Sequence, residues 1–366
     1  MKVALVYDRI NKWGGAERVL LALHALFPNA HLYTSVYNKD KAKWAEKFIV
    51  KTSFLQEFPF AKEAHEYFPL LMPSVFESFS FDDYDLVISV TSESAKGIIT
   101  KPRTLHICYC LTPTRYLWSG FEEYFTNKFM RILSKPAISY LRKWDKAASY
   151  RPDVYIAISE EVQKRIKKFY GQSSVIIHPP VGLMKSQKAD TGKKKVLDYY
   201  LVVSRLVRYK RVDLAIKACN ELGVPLKIVG VGSDLAFLKR ISGPTIEFLG
   251  VVTDDELVDL YKGARALLFP GFEDFGIVMV ESIGFGIPVI AYSKGGARDI
   301  IEHKRSGIFF NHQTTESLIG GIKKAESIEF ITKELQTRAA LFSDDVFKTK
   351  ISSFIEKTLQ NIKIPL

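Results

Sequence analysis

Cysteine is scarce in this chain of 366 residues, where only Cys108, Cys110 and Cys219 occur. An odd number without paired spacing argues against a disulfide framework and suits a reducing compartment. Cys108 and Cys110 point the same way along an apolar stretch. No other Cys or His cluster completes a metal site with them, so they read as core thiols. Long apolar runs are missing as well. No stretch of about 18 apolar residues occurs, so no membrane-spanning helix is expected. The run before Asp8 and Arg9 holds only five apolar residues, too few for the core of a signal peptide. A cytoplasmic protein is the expectation. A basic pole is also lacking: the net charge of +12 comes from 25 basic and 18 acidic side chains in residues 1–180, and 27 and 22 in the rest. Such an even spread gives no reason to expect nucleic acid as a partner.

One segment departs from that evenness. Residues 127–151 carry seven basic side chains against the single Asp145, interleaved with Phe129, Met130, Ile132, Leu133, Tyr140, Leu141 and Trp144. Two readings stand. A basic, aromatic, amphipathic helix suits an anionic membrane surface, which would make the protein peripheral on the inner face of the cell membrane. The same pattern also describes a helix packing its apolar face on its own domain. Pro136 is expected to kink or split it.

What the chain has in quantity is alternation. Short apolar runs at 3–7, 32–36, 86–90, 105–110, 154–158 and 175–177 are separated by helical periods, such as Val19, Leu20, Leu23 and Leu26 after Gly14-Gly15. Residues 179–198 then show two prolines, five lysines and few large apolar side chains, the composition of a linker. Beyond it the alternation restarts at 200–203, 226–229, 246–249, 266–269, 289–291 and 307–310. This predicts an α/β protein of two doubly wound domains facing across a cleft, with ligands at the carboxyl ends of the strands. The boundaries expected are 1–180, a linker at 181–198, 199–345, and a C-terminal helix at 346–366 returning to the first domain.

The stretch 261–291 carries the most chemistry. A strand ends at Phe269-Pro270, a loop brings Glu273 and Asp274, and a helix opens near Phe275-Gly276. The free N–H groups of that helix start form an anion site, and Gly276 allows a ligand close to the backbone. Glu281, one to two turns on, is placed to accept hydrogen bonds from a pair of sugar hydroxyls. Gly286 and Pro288 end the helix. The bland alternative makes Glu273 a helix N-terminal charge and Glu281 a solvated side chain.

The spacing of the two glutamates, with Phe275-Gly276 after the first and Gly286-Ile287-Pro288-Val289 after the second, resembles the motif of glycosyltransferase family 4, whose members are retaining enzymes of the B-type fold. Arg205 to Lys210, Val229 to Gly232, Phe248 to Val251 and Trp13 to Glu17 resemble further blocks of that family in the same order. The resemblance implies that Arg205 and Lys210 neutralise the donor diphosphate and that Glu281 holds the ribose. Glu273 with the backbone of Phe275, Gly276, Ile277 and Val278 would orient the sugar, while Gly15, Gly230, Gly250 and Val251 line the nucleotide side. It implies a GDP- or UDP-linked sugar as substrate, no separate cofactor and no essential metal. Asp82-Asp83-Tyr84-Asp85 contains an Asp-x-Asp string but precedes a first-domain strand, and reads as a loop. Gly230-x-Gly232 lacks the third glycine of a dinucleotide fingerprint, since position 235 is Leu.

The block from His106 to Trp118 resembles bacterial mannosyltransferases that build surface polysaccharides on lipid carriers. That resemblance implies mannose as donor sugar, a lipid-linked saccharide acceptor, and Arg115 and Tyr116 on the acceptor side. Relatives often have histidine where this chain has Leu111, which shifts the expected sugar preference. His106 lies inside the strand and reads as a core residue. A donor-binding protein without turnover and a sugar-nucleotide epimerase on the same fold are the alternatives.

Overall fold

The computed structural model describes residues 1–124, 127–182 and 198–361, without the side chains of Glu123, Tyr124, Lys128 and Met130. Most of the expected linker, and the last five residues of the expected C-terminal helix, lie outside the described residues. The chain divides into two units, Met1–Pro180 with Phe347–Leu366, and Val181–Val346.

In the first unit seven strands, β1 (Val3–Tyr7), β2 (His31–Thr34), β3 (Ile49–Thr52), β4 (Leu86–Thr91), β5 (Leu105–Cys110), β6 (Val154–Ala157) and β7 (Val175–Ile176), form one sheet in the order β3-β2-β1-β4-β5-β6-β7. Every pairing is parallel. Every residue of β1, β4 and β5 is buried, as expected for strands covered on both faces. Those are the strands that continuous apolar runs announce. β3 is not announced, because it is an edge strand of sequence Ile-Val-Lys-Thr, buried on neither face, with Ile49 exposed.

The strand expected at 32–36 ends at Thr34. After it the chain turns to a new partner: Ile10 N–H donates to Val36 O at 2.9 Å and Asn38 N–H to Ile10 O at 2.8 Å. The helix Gly15–Leu26 buries Val19, Leu20, Ala22 and Leu23. The helix Asp344–Asn361 buries Phe347, Ile351, Ile355 and Thr358, and its Phe347 ring packs edge-on against Tyr109 of β5.

The second unit holds β8 (Tyr199–Val203), β9 (Leu226–Val229), β10 (Ile246–Gly250), β11 (Ala264–Phe269), β12 (Val289–Tyr292) and β13 (Gly307–Phe310), in the order β10-β9-β8-β11-β12-β13. All pairs are again parallel. Val202, Leu226, Ile228, Leu268, Ile290 and Ile308 from the strands close a core with Leu214, Ala218, Leu318 and Ile322 from the covering helices. In each sheet the strand order reverses once, between β1 and β4 and between β8 and β11. The loops leaving those strands diverge there and open a crevice at the carboxyl ends.

Candidate active site

In the second unit the crevice between β8 and β11 gathers the sequence-expected residues. Ser204 N–H donates to Val229 O at 3.0 Å, Leu206 N–H to Val231 O at 2.9 Å, and Gly230 N–H to Gly250 O at 2.7 Å, which stitches together the loops after β8, β9 and β10. A Cβ at Gly230 would lie 1.8 Å from Ser204 O, and its φ of +131° is open only to glycine, so no other residue fits this crossing. Val251, just beyond β10, is exposed. Arg205 is exposed and its guanidinium donates to the Tyr209 hydroxyl at 2.7 Å. A single turn, Arg208–Lys210, then carries Lys210 inward, where its ammonium is ion-paired with the Glu273 carboxylate. Both groups are largely buried, at 12% and 20% exposure, so the pair is shielded from the screening that weakens surface pairs.

Glu273 stands on the loop after β11. Gly276 caps the following helix, Ile277–Gly284, with φ +96°, and no side chain caps that start, where the first-turn N–H groups lack the intrahelical partners that later residues have. Phe275 is buried against the Phe342 ring, centroids 5.7 Å apart. Glu281 is 3% exposed, and its carboxylate accepts a hydrogen bond from the Tyr261 hydroxyl at 3.1 Å. It is therefore not a solvated side chain, and Glu273 does not serve as a helix N-terminal charge but as the partner of Lys210.

Gly295 and Gly296, after β12, belong to this site and went unnoticed in the sequence. Gly296 N–H donates to Glu273 O at 2.9 Å. A Cβ on Gly296 would lie 2.3 Å from Phe275 Cα. The glycine pair after an apolar run was the available signal.

In the first unit the crevice between β1 and β4 holds a cluster that no motif announces. Asp8, buried at the end of β1, accepts from the backbone N–H groups of Ser92, Glu93, Ser94 and Ala95 at 2.7–3.0 Å and from the Thr91 hydroxyl at 2.8 Å. The loop so fixed sets Glu93 against Arg9 at 2.7 Å, with His65 Nε2 at 3.6 Å. Burial pushes the Glu93 carboxyl up, but the Arg9 guanidinium and His65 outweigh it and hold it down at about 2. Gly15 opens the helix after β1, with Gly14 as its cap. Leu111, Arg115 and Tyr116 follow β5 and are half-buried.

The basic segment splits into the helices Lys128–Leu133 and Lys135–Ala148, with Pro136 in the first turn of the second. The inner face of the longer helix packs on its own unit. Ile138 and Leu141 join Leu117, with Tyr116, Trp118 and Phe121 packed around them. Asp145, the sole acid, is buried and accepts from Lys96 Nζ at 2.5 Å, Trp118 Nε1 at 2.7 Å and Thr114 Oγ1 at 3.0 Å. Phe129, Ile132, Leu133 and Tyr140 remain exposed.

Cys108, Cys110 and Cys219 are buried. Asp82, Asp83 and Asp85 lie before β4, where Asp82 pairs with Lys101 at 3.1 Å and Asp85 accepts from Lys2 N–H at 2.6 Å. Among the described residues there is no group of three or more His, Cys, Asp or Glu able to hold a metal ion, and no helix long and apolar enough to cross a membrane.

His106 sits in the interior of β5, its Nε2 2.8 Å from the Ser89 hydroxyl, and burial, aided by Arg151, pushes it down to about 3. Between its ordinary value of 6.5 and 3 the unfolded chain binds a proton here that the folded chain refuses. This contribution to stability is thus complete above pH 6.5 and is lost as pH falls, by about 1.4 kcal/mol per pH unit. Urea midpoints measured from pH 7 to 5 are expected to fall more steeply for the protein than for His106→Gln.

A model of the family of glycosyl transferases group 1 matches residues 184–341. The match, to a glycosyltransferase group 1 domain, covers less than half of the chain. An uncharacterised glycosyltransferase of Methanocaldococcus jannaschii is 32% identical over 138 residues, 35% of each chain. A GDP-mannose-dependent alpha-mannosyltransferase of Mycobacterium tuberculosis is 34% identical over 32% of each chain. The matched stretch thus spans about a third of each of these two relatives, 35% and 32% of their lengths. Across 98% of this chain and all of its own, the structure of HepE of Anabaena in complex with UDP superposes with a TM-score of 0.71 at 18% identity. That likeness is one of fold: two Rossmann-like domains as in B-type glycosyltransferases. The group 1 match falls within the second unit, the one that contains Lys210, Glu273 and Glu281.

Proposed function

We propose that this protein is a retaining, metal-independent glycosyltransferase of family 4. In this reading it moves a hexose, mannose first, from a GDP- or UDP-linked donor to a lipid-linked or oligosaccharide acceptor in surface polysaccharide or glycolipid synthesis. The observation that carries the reading is the Lys210–Glu273 pair beside the open helix start at Gly276, inside a group 1 domain. A diphosphate entering there meets Lys210, Arg205 and the first-turn N–H groups together. As the bond from the sugar to the phosphate breaks, charge builds on the departing oxygen, and these fixed donors stabilise it without reorganising. Lys210 then turns from Glu273 to the phosphate, which frees the carboxylate for sugar hydroxyls. The departing phosphate takes the acceptor proton, so no separate protein base is needed.

Binding and transfer are tested together. GDP-mannose, UDP-glucose and UDP-galactose are titrated by calorimetry and then incubated with and without saccharide acceptors. Heat without product would favour a binding protein, and a new sugar nucleotide without acceptor an epimerase. Glu281→Ala is expected to weaken nucleotide binding by roughly 10- to 100-fold, the effect of losing hydrogen bonds to a carboxylate worth about 1.5–3 kcal/mol. Unchanged affinity would remove Glu281 from the site.

The exposed Phe129, Ile132, Leu133 and Tyr140, beside Lys135 and Lys143, suit an anionic membrane carrying a lipid-linked acceptor. Arg142 and Lys146 are turned inward, onto the carbonyls of Leu117 and Phe169. Neutralising Lys135 and Lys143 together is expected to weaken binding to phosphatidylglycerol-containing vesicles by roughly 10- to 30-fold, at about 1 kcal/mol per lysine. Equal pelleting by the variant would leave the helix with its packing role alone.

A further inference from the structure

Beside the turn Arg208–Lys210, a cavity of about 700 Å³, lined by neither Lys210 nor Glu273, opens between the first turn of the helix Val212–Leu222 and the helix Leu235–Arg240. We propose that this cavity is a second anion site, separate from the donor site, which binds a small phosphate-bearing molecule. Its volume is that of a small-ligand site. Its rim brings Arg208, Arg211, Lys217 and Arg240 against only Asp213 and Asp234. Arg211, held at φ +52°, turns its guanidinium onto Asp213 with bonds of 3.0 and 3.3 Å, and Lys217 lies 3.9 Å from the same carboxylate. The Arg208 and Arg240 side chains are exposed, and among the described residues neither guanidinium makes an ion pair or hydrogen bond.

Two guanidinium forks at the mouth of one cavity present the planar donor arrays that phosphate oxygens accept from. Phe237, half-exposed on the same wall, offers a face to the organic part of an ester. Arg208 and Lys210 share one turn, Lys210 meeting Glu273 while Arg208 lines the cavity. Filling the cavity therefore bears on the placement of Lys210. Any change it makes in donor affinity must be matched by an equal change in its own affinity when donor is bound.

Inorganic phosphate is the probe, titrated into the full chain by calorimetry at physiological salt. Saturable binding is expected, weakened at least about tenfold in Arg208→Ala/Arg240→Ala and changed less than about twofold in Lys210→Ala. Both arginines are exposed, so the double variant should fold normally, which circular dichroism checks. Three results overturn the site: no saturable binding, equal binding by the double variant, or binding lost with Lys210, which would put the phosphate in the donor site. Competition by a hexose phosphate distinguishes the sources, since an ester that displaces phosphate at lower concentration is the ligand and one that does not leaves free phosphate. GDP and UDP are each titrated into the same proteins. Failure of both to bind would sink the donor reading and leave the phosphate result standing by itself.

Discussion

Lys210→Ala is expected to lower the rate of sugar transfer by roughly 10- to 1000-fold, corresponding to about 1.5–4 kcal/mol of lost stabilisation at the departing phosphate. Under the proposed function donor affinity should change less, because the charge that Lys210 would meet grows during bond breaking and is only partly present in the ground state. Removal of the ammonium also strands Glu273, its ion-pair partner at 20% exposure. Lys210→Gln, which can still bond to Glu273 but carries no charge, separates these two effects. A drop in rate in both variants points to the charge, and a drop in the alanine variant alone to a misplaced carboxylate. Arg205→Ala should behave like Lys210→Ala with a smaller loss, since its guanidinium is exposed and held only by the Tyr209 hydroxyl. Steady-state rates and donor KM values for the three variants check the assignment, and wild-type rates throughout would dismantle it.

The second large effect is on stability. Lys96→Met is expected to destabilise the first unit by about 3–5 kcal/mol, because it leaves the Asp145 carboxylate buried without its counter-charge. Lys96 and Asp145 are each about 1% exposed, so water cannot make good the loss. Lys96→Met/Asp145→Leu should recover part of this stability. Recovery should stop short of the original, since the Trp118 indole N–H and the Thr114 hydroxyl also use Asp145, and each buried donor left without an acceptor costs about 1–3 kcal/mol. Urea unfolding monitored by tryptophan fluorescence measures all three. A single variant as stable as the protein would mean that the pair is not the tie between the loop after β4 and the helix Lys135–Ala148.

That tie shows how a sequence reading can be right about a segment and silent about its role. The basic, aromatic composition of 127–151 announced an amphipathic helix, and Pro136 announced the break. Its one acid looked incidental. In the folded chain Asp145 is fully buried, and it ties its helix to the loop after β4 and to the segment of Thr114 and Trp118. Glu93, Arg9 and His65 make the same point in the crevice of the first sheet: none carries a motif, and their partners lie 28 to 84 residues away.

The sequence showed the α/β class, the two doubly wound domains and twelve of the thirteen strands among the described residues, and it singled out Lys210, Glu273 and Glu281 as candidates for the second-unit site. It could do so because strands buried on both faces must be continuous apolar runs, and because a helix start that receives an anion needs glycine and its neighbours at fixed spacing. The edge strand β3 escaped, since a strand that buries little leaves little trace in composition. The fold alone shows that Lys210 meets Glu273, that Glu281 is buried on Tyr261, that Gly296 closes on Phe275, and that Asp145 belongs to the interior. Each of these is a contact between loops or helices set side by side by sheet order. Sheet order follows from packing of the whole chain, which no local spacing records.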